Sequence, residues 1–360
     1  MTQPKVAPIQ GNSSCRFSLD AFQLLETVTD HQVDFYKLPF PTRADRKKLK
    51  FFGGRPNKEV AHFFRKIELP CQSCMQCRLQ YARDWSARIM VEAKLCERNS
   101  FITLTYNEDN VPHNGQLVKR DFQLFMKRLR AKHSGHQSIY GLKSPKGKHP
   151  IRFVAGAEYG DQFGRPHFHA GLINFKPYDL EYHSKTNQGD TNYISKDLSD
   201  IWGKGYVLVG DLNQQSADYI ARYIIKKFKG AAEAKGEHYH RINHETGEAY
   251  TLEPEFLLMS RRPGLGIPHL WKWESDYYHG QMTITKKDGT TIRRRPPRHF
   301  ETVLERTQPK IVADLKAKRI AIMEQKKITH PEEFTEARLK VHDDLFAIKT
   351  QMIKKSEWEA

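Results

Sequence analysis

Residues 151–175 read IRFVAGAEYGDQFGRPHFHAGLINF, and their reading decides the fold. Two apolar runs, Ile151 to Ala157 and His167 to Phe175, flank a polar connector from Tyr159 to Pro166. That pattern predicts two antiparallel strands joined by a loop. Alternate side chains of a strand share a face, so His167 and His169 point one way and Phe168 the other. With the connector centred on Gln162 and Phe163, Glu158 falls opposite His167 on the same face. Cross-strand neighbours stand about 5 Å apart at Cβ, so two imidazoles and a carboxylate converge on one small volume. That is a divalent-metal site in outline. A His-x-His pair alone is ordinarily packing; the facing Glu158 and a tyrosine pair downstream lift this one above that reading. A register slipped by one residue would throw Glu158 to the other face, and Asp161 stands near enough to substitute for it.

Composition narrows the partners. The chain has 360 residues and a formal net charge of +17, with basic residues spread along its length. Such a field favours polyanions, either nucleic acid or an anionic membrane surface. No run of about 18 apolar residues occurs, and MTQPKVAPIQ lacks a signal-peptide core. The expectation is a soluble protein inside a cell. Five cysteines, three of them bunched, suit a reducing compartment better than a disulfide framework.

Outward from the hairpin, residues 1–65 read as a loosely structured arm with a basic run from Arg43 to Lys50. LPCQSCMQCR then places Cys71, Cys74 and Cys77 at C-x-x-C-x-x-C spacing, a candidate for structural Zn²⁺. A closed zinc site wants four ligands, and His62 or Cys96 is available as the fourth. A ferredoxin-type cluster would need cysteine where Tyr81 stands. Leu79 to Leu95 has helical period, and FITLTY (101–106) alternates as a strand should. In VKRDFQLFMKRLRAKH, Phe122, Phe125, Met126 and Leu129 form one stripe of a helix opened by Asp121. Lys127, Arg128 and Arg130 lie on its outer face, either as a solvated surface or against a DNA backbone.

Beyond the hairpin, Tyr178 to Asp200 reads as a polar insertion and Tyr206 to Val209 as a strand. SADYIARYIIKKFKG is a helix with Ser216 as N-cap and Gly230 as its stop. Tyr219 and Tyr223, four residues apart, share one face of it, with Lys226 a turn further on. By themselves two such tyrosines are half-buried packing. EFLLMSRRPGLG ends in a turn with Arg261 and Arg262 exposed, and MTITKKDGTTIRRR is a hairpin around Asp288 and Gly289. A basic run from Arg293 to Arg298 follows, including Arg294 and Arg295. Residues 301–360 read as a helical extension with a capping box at Thr329 and Glu332.

A divalent metal beside a helix-borne tyrosine suggests phosphoryl transfer onto the protein. The metal polarises a phosphate oxygen. Tyrosine ordinarily titrates near 10, so a nearby cation, the metal or Lys226, must favour the phenolate. The phosphotyrosine ester conserves the energy of the diester it replaces, and two tyrosines allow two successive transfers.

At these residues the chain resembles a known family. PHFHAGL is similar to the His-hydrophobe-His motif of HUH endonucleases, and FITLTY to their first strand. YIARYIIKK resembles the two-tyrosine motif of rolling-circle replication initiators of microviruses, and LPCQSCMQCR, MSRRPGLG and RRPPRHF resemble segments of the gokushovirus-like branch. The resemblance spans about Leu69 to Phe300. It implies an α+β fold, an antiparallel central sheet flanked by helices and related to RNA-recognition domains. It also implies an origin-nicking activity dependent on Mg²⁺ or Mn²⁺. His167, His169 and Glu158 take the metal-ligand places, Tyr219 and Tyr223 the nucleophile places, and Lys226 or Lys227 the basic place after them.

The expected organisation is an arm (1–65), an endonuclease domain (66–232), accessory strands with a basic segment (233–300) and a helical extension (301–360). Expected partners are single-stranded DNA at a viral origin and the host polymerase and helicase, in the cytoplasm of a bacterial host and with no membrane. Lys127, Arg128, Arg130, Lys227, Arg261, Arg262 and Arg293 to Arg295 are the expected DNA contacts. The rival readings are a transposase or relaxase of the same chemistry, and a non-catalytic DNA-binding protein centred on the zinc cysteines.

Overall fold

The computed structural model describes residues 19–24, 61–69, 75–137, 148–160, 164–186, 189–227, 239–242, 247–285, 289–338 and, within 340–348, all but 343 and 346. Among them the chain divides into two compact units, residues 1–277 with 281–300, and residues 278–280 with 301–360.

In the first unit β1 (Leu19–Leu24) pairs with β2 (Phe64–Leu69), so part of the expected loose arm is a strand. Helix α1 (Met75–Ala93) follows, then β3 (Ser100–Tyr106), α2 (Lys119–Lys132), β4 (Arg152–Tyr159) and β5 (Pro166–Ile173). Next come β6 (Leu180–Lys185), β7 (Thr191–Ser195), α3 (Lys196–Trp202), β8 (Gly205–Gly210) and α4 (Gln214–Lys227). β9 (His240–Ile242), β10 (Ala249–Thr251), β11 (Phe256–Met259), α5 (Ile267–Lys272), β12 (Met282–Thr285) and β13 (Thr291–Arg294) complete it. Seven strands form one antiparallel sheet in the order β11-β4-β5-β3-β8-β7-β6. The fold is α+β, with helices on both faces.

Strand alternation sorts the core into two layers. Ile102, Leu104, Phe168, Ala170 and Val207 face α2 and α3, where Phe122, Phe125, Met126, Leu129 and Trp202 are buried against them. The apolar positions of α2 recur at i, i+3, i+4 and i+7, one stripe of an α-helix. On the opposite face Val154 and Ile173 meet Trp85 and Ile89 of α1 and Ala217, Ile220 and Ala221 of α4.

Residues 178–200, expected as a polar insertion, instead supply β6, β7 and most of α3. Glu181, Tyr182 and His183 of the edge strand β6 are all exposed, so no apolar face marks it. The Ser195 side chain caps α3 by accepting from Leu198 N at 3.1 Å, and Gly203 closes that helix at φ +62°. The β12–β13 hairpin forms with Thr285 opposite Thr291; its expected centre at Asp288 lies outside the described residues.

His269 on α5 hydrogen-bonds the Tyr277 hydroxyl through Nδ1 at 2.9 Å. Burial, and then the Lys94 charge, lower its pKa from 6.5 to about 4. The unfolded chain therefore takes up this proton first. Stability is retained above about 6.5 and falls as pH drops through the window down to about 4. The expected loss is roughly 2–3 kcal/mol across that window. Urea unfolding at stepped pH reads it, and His269→Gln should flatten the slope; an unchanged slope would exclude His269 as its source.

In the second unit, α6 (Arg298–Thr307) runs on from the first and α7 (Pro309–Thr329) follows. Leu304, Val312 and Leu315 are buried, and Arg319 pairs with Glu301 at 2.6 Å. Thr329 ends α7 and bonds back to Gln325 O at 3.1 Å instead of opening a helix; Thr335 caps the next one, accepting from Arg338 N at 3.4 Å. No described helix is long and apolar enough to cross a membrane.

Candidate active site

β4 and β5 pair with Gly156 opposite His169 and Glu158 opposite His167. Glycine puts no side chain beside His169, and the two imidazoles and Glu158 share the face that α1 and α4 cover in part. The Glu158 Oε1 atom lies 2.9 Å from His167 Nε2 and 3.0 Å from His169 Nε2. Glu158 and His169 are buried.

The outer ring nitrogens are also engaged. His167 Nδ1 bonds the Arg165 carbonyl at 3.0 Å, and His169 Nδ1 bonds Thr103 Oγ1 at 3.0 Å. A proton on His167 Nδ1 directs the Nε2 lone pair toward Glu158, the orientation in which an imidazole is presented to a metal. Arg165 is itself tied to the Tyr106 carbonyl at 2.9 Å and to Glu108. On β3, Phe101 stacks on the His169 ring at 5.8 Å and 7° between planes.

Helix α4 delivers the tyrosine. Asn213 and Ser216 cap it reciprocally: Ser216 N donates to Asn213 Oδ1 at 2.9 Å, and Asn213 N donates to Ser216 Oγ at 2.8 Å. The helix therefore opens at Gln214, and Ser216 is the third helical residue instead of the N-cap expected from sequence. Ala217, Ile220 and Ala221 press the helix onto the sheet. Gly171 of β5 permits this closeness, since a Cβ there would stand 3.1 Å from Leu212 and 3.3 Å from Ile220. The Tyr219 hydroxyl then lies 3.3 Å from both Glu158 Oε1 and His169 Nε2. Tyr223, Lys226 and Lys227 occupy the following turns of α4, and their side chains lie outside the described atoms.

Glu158, His167 and His169 offer donor atoms that all lie within 4.8 Å of one another. Ligands at right angles on a cation with bonds near 2.1 Å stand about 3 Å apart, which matches both nitrogen–carboxylate separations. The donor set fits a divalent ion.

The remaining expected site residues are dispersed. Cys71 and Cys74 lie outside the described residues, while Cys77 is half-buried in the first turns of α1. Cys96 is packed in the α1–α4 core, where burial, reinforced by Glu92, pushes its thiol up to about 12. It is a packing residue and a poor fourth zinc ligand. Lys127 is exposed, but Arg128 bonds the Ile201 and Trp202 carbonyls at 2.7 and 2.9 Å, and Arg130 bonds that of Ile151 at 2.7 Å. Arg261, Arg262, Arg293 and Arg295 are exposed, and Arg294 is half-buried.

Sequence reading missed Thr103, Phe101 and the Arg165 carbonyl. The alternation of FITLTY puts Phe101 and Thr103 on one face, but not beside His169; that needed the pairing of β3 with β5.

Residues 99–228 match the replication-associated protein family of ORF2 and the gene II protein, so the match spans the centre and α4 together. Replication-associated protein VP4 of Bdellovibrio phage phiMH2K is 33% identical over 201 residues, 56% of this chain and 60% of that protein. Replication-associated protein ORF2 of Spiroplasma virus 4 is 30% identical over 243 residues, 66% of this chain and 68% of that protein. Replication-associated protein ORF4 of Chlamydia phage 1 is 34% identical over 165 residues, covering 44% and 38%. No solved structure matches the chain. The chain belongs to this family of phage replication-associated proteins.

Proposed function

We propose that the protein initiates rolling-circle replication of a single-stranded-DNA phage by nicking one strand of the origin with a tyrosine. The observation carrying this reading is the Tyr219 hydroxyl 3.3 Å from both Glu158 and His169, within a Glu-His-His metal-ligand set. Glu158, His167 and His169 would hold Mg²⁺ or Mn²⁺. When bound, such an ion supplies Lewis-acid polarisation of a phosphate oxygen.

The protein's own groups do the rest. Glu158 Oε1 accepts the Tyr219 proton as the phenol oxygen attacks. A Tyr219 O–P bond forms, the bond from phosphorus to the 3′ oxygen breaks, and that oxygen takes up a proton. The products are a 5′-phosphotyrosine and a free 3′ hydroxyl from which a host polymerase extends, beside a host helicase. Run backwards with another 3′ end, the step rejoins the strand. Tyr223, one turn along α4, is placed in sequence to serve a second transfer. These steps belong in the cytoplasm of a bacterial host.

The test is incubation of the protein with single-stranded genomic DNA and Mn²⁺, read on a denaturing gel. The expected result is a covalent protein–DNA band that EDTA prevents and that His167→Ala/His169→Ala reduces by about 10³-fold or more. A band indifferent to EDTA and to the histidines would remove the metal set from the mechanism. Absence of any band would favour a DNA-binding protein organised on Cys71, Cys74 and Cys77.

A further inference from the structure

At the other end of β4 lies a cleft of about 420 Å³ between the end of α2, residues 148–153 and residues 259–262. Arg130, Lys148, Arg152, Arg261 and Arg262 line it, together with two histidines and no carboxylate. Nearby Asp197 is already paired with Lys132 and His133, each at 2.6 Å.

The cations are held in place by main chain. Arg130 is fixed on the Ile151 carbonyl, Lys148 on that of Ala131 at 2.8 Å, and Arg152 on that of Pro263 at 2.7 Å. Arg152 is 3% exposed and adds to the field without reaching solvent. Arg261 and Arg262 are exposed. Desolvation, and then the Arg152 charge, lower the Arg130 pKa, a strain that a bound anion relieves.

We infer that this cleft binds the phosphate backbone of double-stranded DNA. No aromatic face is open to stack a base, as a single-strand channel would require. Phe153, the aromatic residue of the lining, packs on Phe122 at 5.3 Å and beneath the Arg130 guanidinium at 5.3 Å. Cations alone read phosphates without bases. From Arg152 to Glu158, β4 covers roughly 20 Å, or about six base pairs of duplex at 3.4 Å each. The cleft would thus grip duplex flanking the strand presented to Tyr219. The inference rests on the proposed function only for DNA as the ligand, and its test uses equilibrium binding, so either can fail without the other.

The experiment is fluorescence anisotropy of the full chain with a short labelled duplex and with the corresponding single strand, over a salt series. Arg261→Gln/Arg262→Gln and the charge-reversed Arg261→Glu/Arg262→Glu are compared with wild type. Duplex affinity should fall about tenfold or more, and the salt slope should shrink by about two for the Gln pair. Single-strand affinity and cleavage of a short single-stranded oligonucleotide should stay within about twofold. Unchanged duplex affinity in both variants would overturn the inference. So would an equal loss on single strands, which would make the arginines a general electrostatic surface.

Discussion

Tyr219→Phe should abolish the covalent protein–DNA species formed at the first cleavage, by about 10³-fold or more, the scale that follows loss of an enzyme nucleophile. Tyr223→Phe should leave that first species in place and impair only the later transfer. The asymmetry comes from the Tyr219 hydroxyl, which stands within 3.3 Å of both Glu158 Oε1 and His169 Nε2. Phenylalanine keeps the edge-to-face contacts of that ring, 4.8 Å to His169 and 6.2 Å to Phe101. What it removes is an exchange of two hydrogen bonds, worth roughly 1 kcal/mol each, so the variant should fold and still bind DNA. Denaturing gels of adduct yield beside anisotropy of uncleaved oligonucleotide separate chemistry from binding. Adduct that survives Tyr219→Phe and disappears in Tyr223→Phe would pass the leading role to Tyr223. Adduct that survives the double substitution would take tyrosine out of the reaction.

The local part of this site was legible in the sequence because it depends on periods of two and four. Alternation within PHFHAGL sets His167 and His169 on one face, and the symmetric connector sets Glu158 opposite His167. The helix of Tyr219 is bounded by its own capping chemistry. Pairings between distant segments were not legible. Nothing in FITLTY says that Thr103 lies opposite His169, because that depends on β3 entering between β5 and β8. Polarity also hid β6 and β7, since an edge strand exposed on both faces has no apolar alternation to read. Arg128 and Arg130 show the converse limit. Their exposed positions on α2 suggest DNA, yet their guanidinium groups are bonded to main-chain carbonyls that only the tertiary fold brings near.

The same limit applies to Glu92, and its replacement should have the largest effect on stability. Glu92 is fully buried on α1, and its carboxylate accepts from Arg152 and from the Gly266 backbone N–H. Arg152 also donates to the Pro263 carbonyl, while Arg88, stacked on Trp85 at 4.0 Å, donates to that of Leu265 at 2.9 Å. One carboxylate and two guanidinium groups thus fasten residues 263–266 to α1 and β4. Glu92→Leu would leave Arg152 charged, buried and without its carboxylate, at a cost of about 3–5 kcal/mol. Glu92→Leu/Arg152→Leu removes both charges and should recover much of that loss, since hydrophobic replacement of a whole buried pair is often near neutral. Burial pushes the Glu92 pKa up, with Arg152 offsetting part of the shift. The folded state therefore holds this proton more tightly than the unfolded chain, and acidification does not cost stability through Glu92. Urea unfolding of the two single variants and the double gives the coupling energy. Trypsin cleavage at Arg261 and Arg262 should accelerate in Glu92→Leu before global unfolding, because it is this segment that loses its fastening. Additive single losses with unchanged trypsin sensitivity would mean that α1 and the 263–266 segment are held together by apolar packing alone.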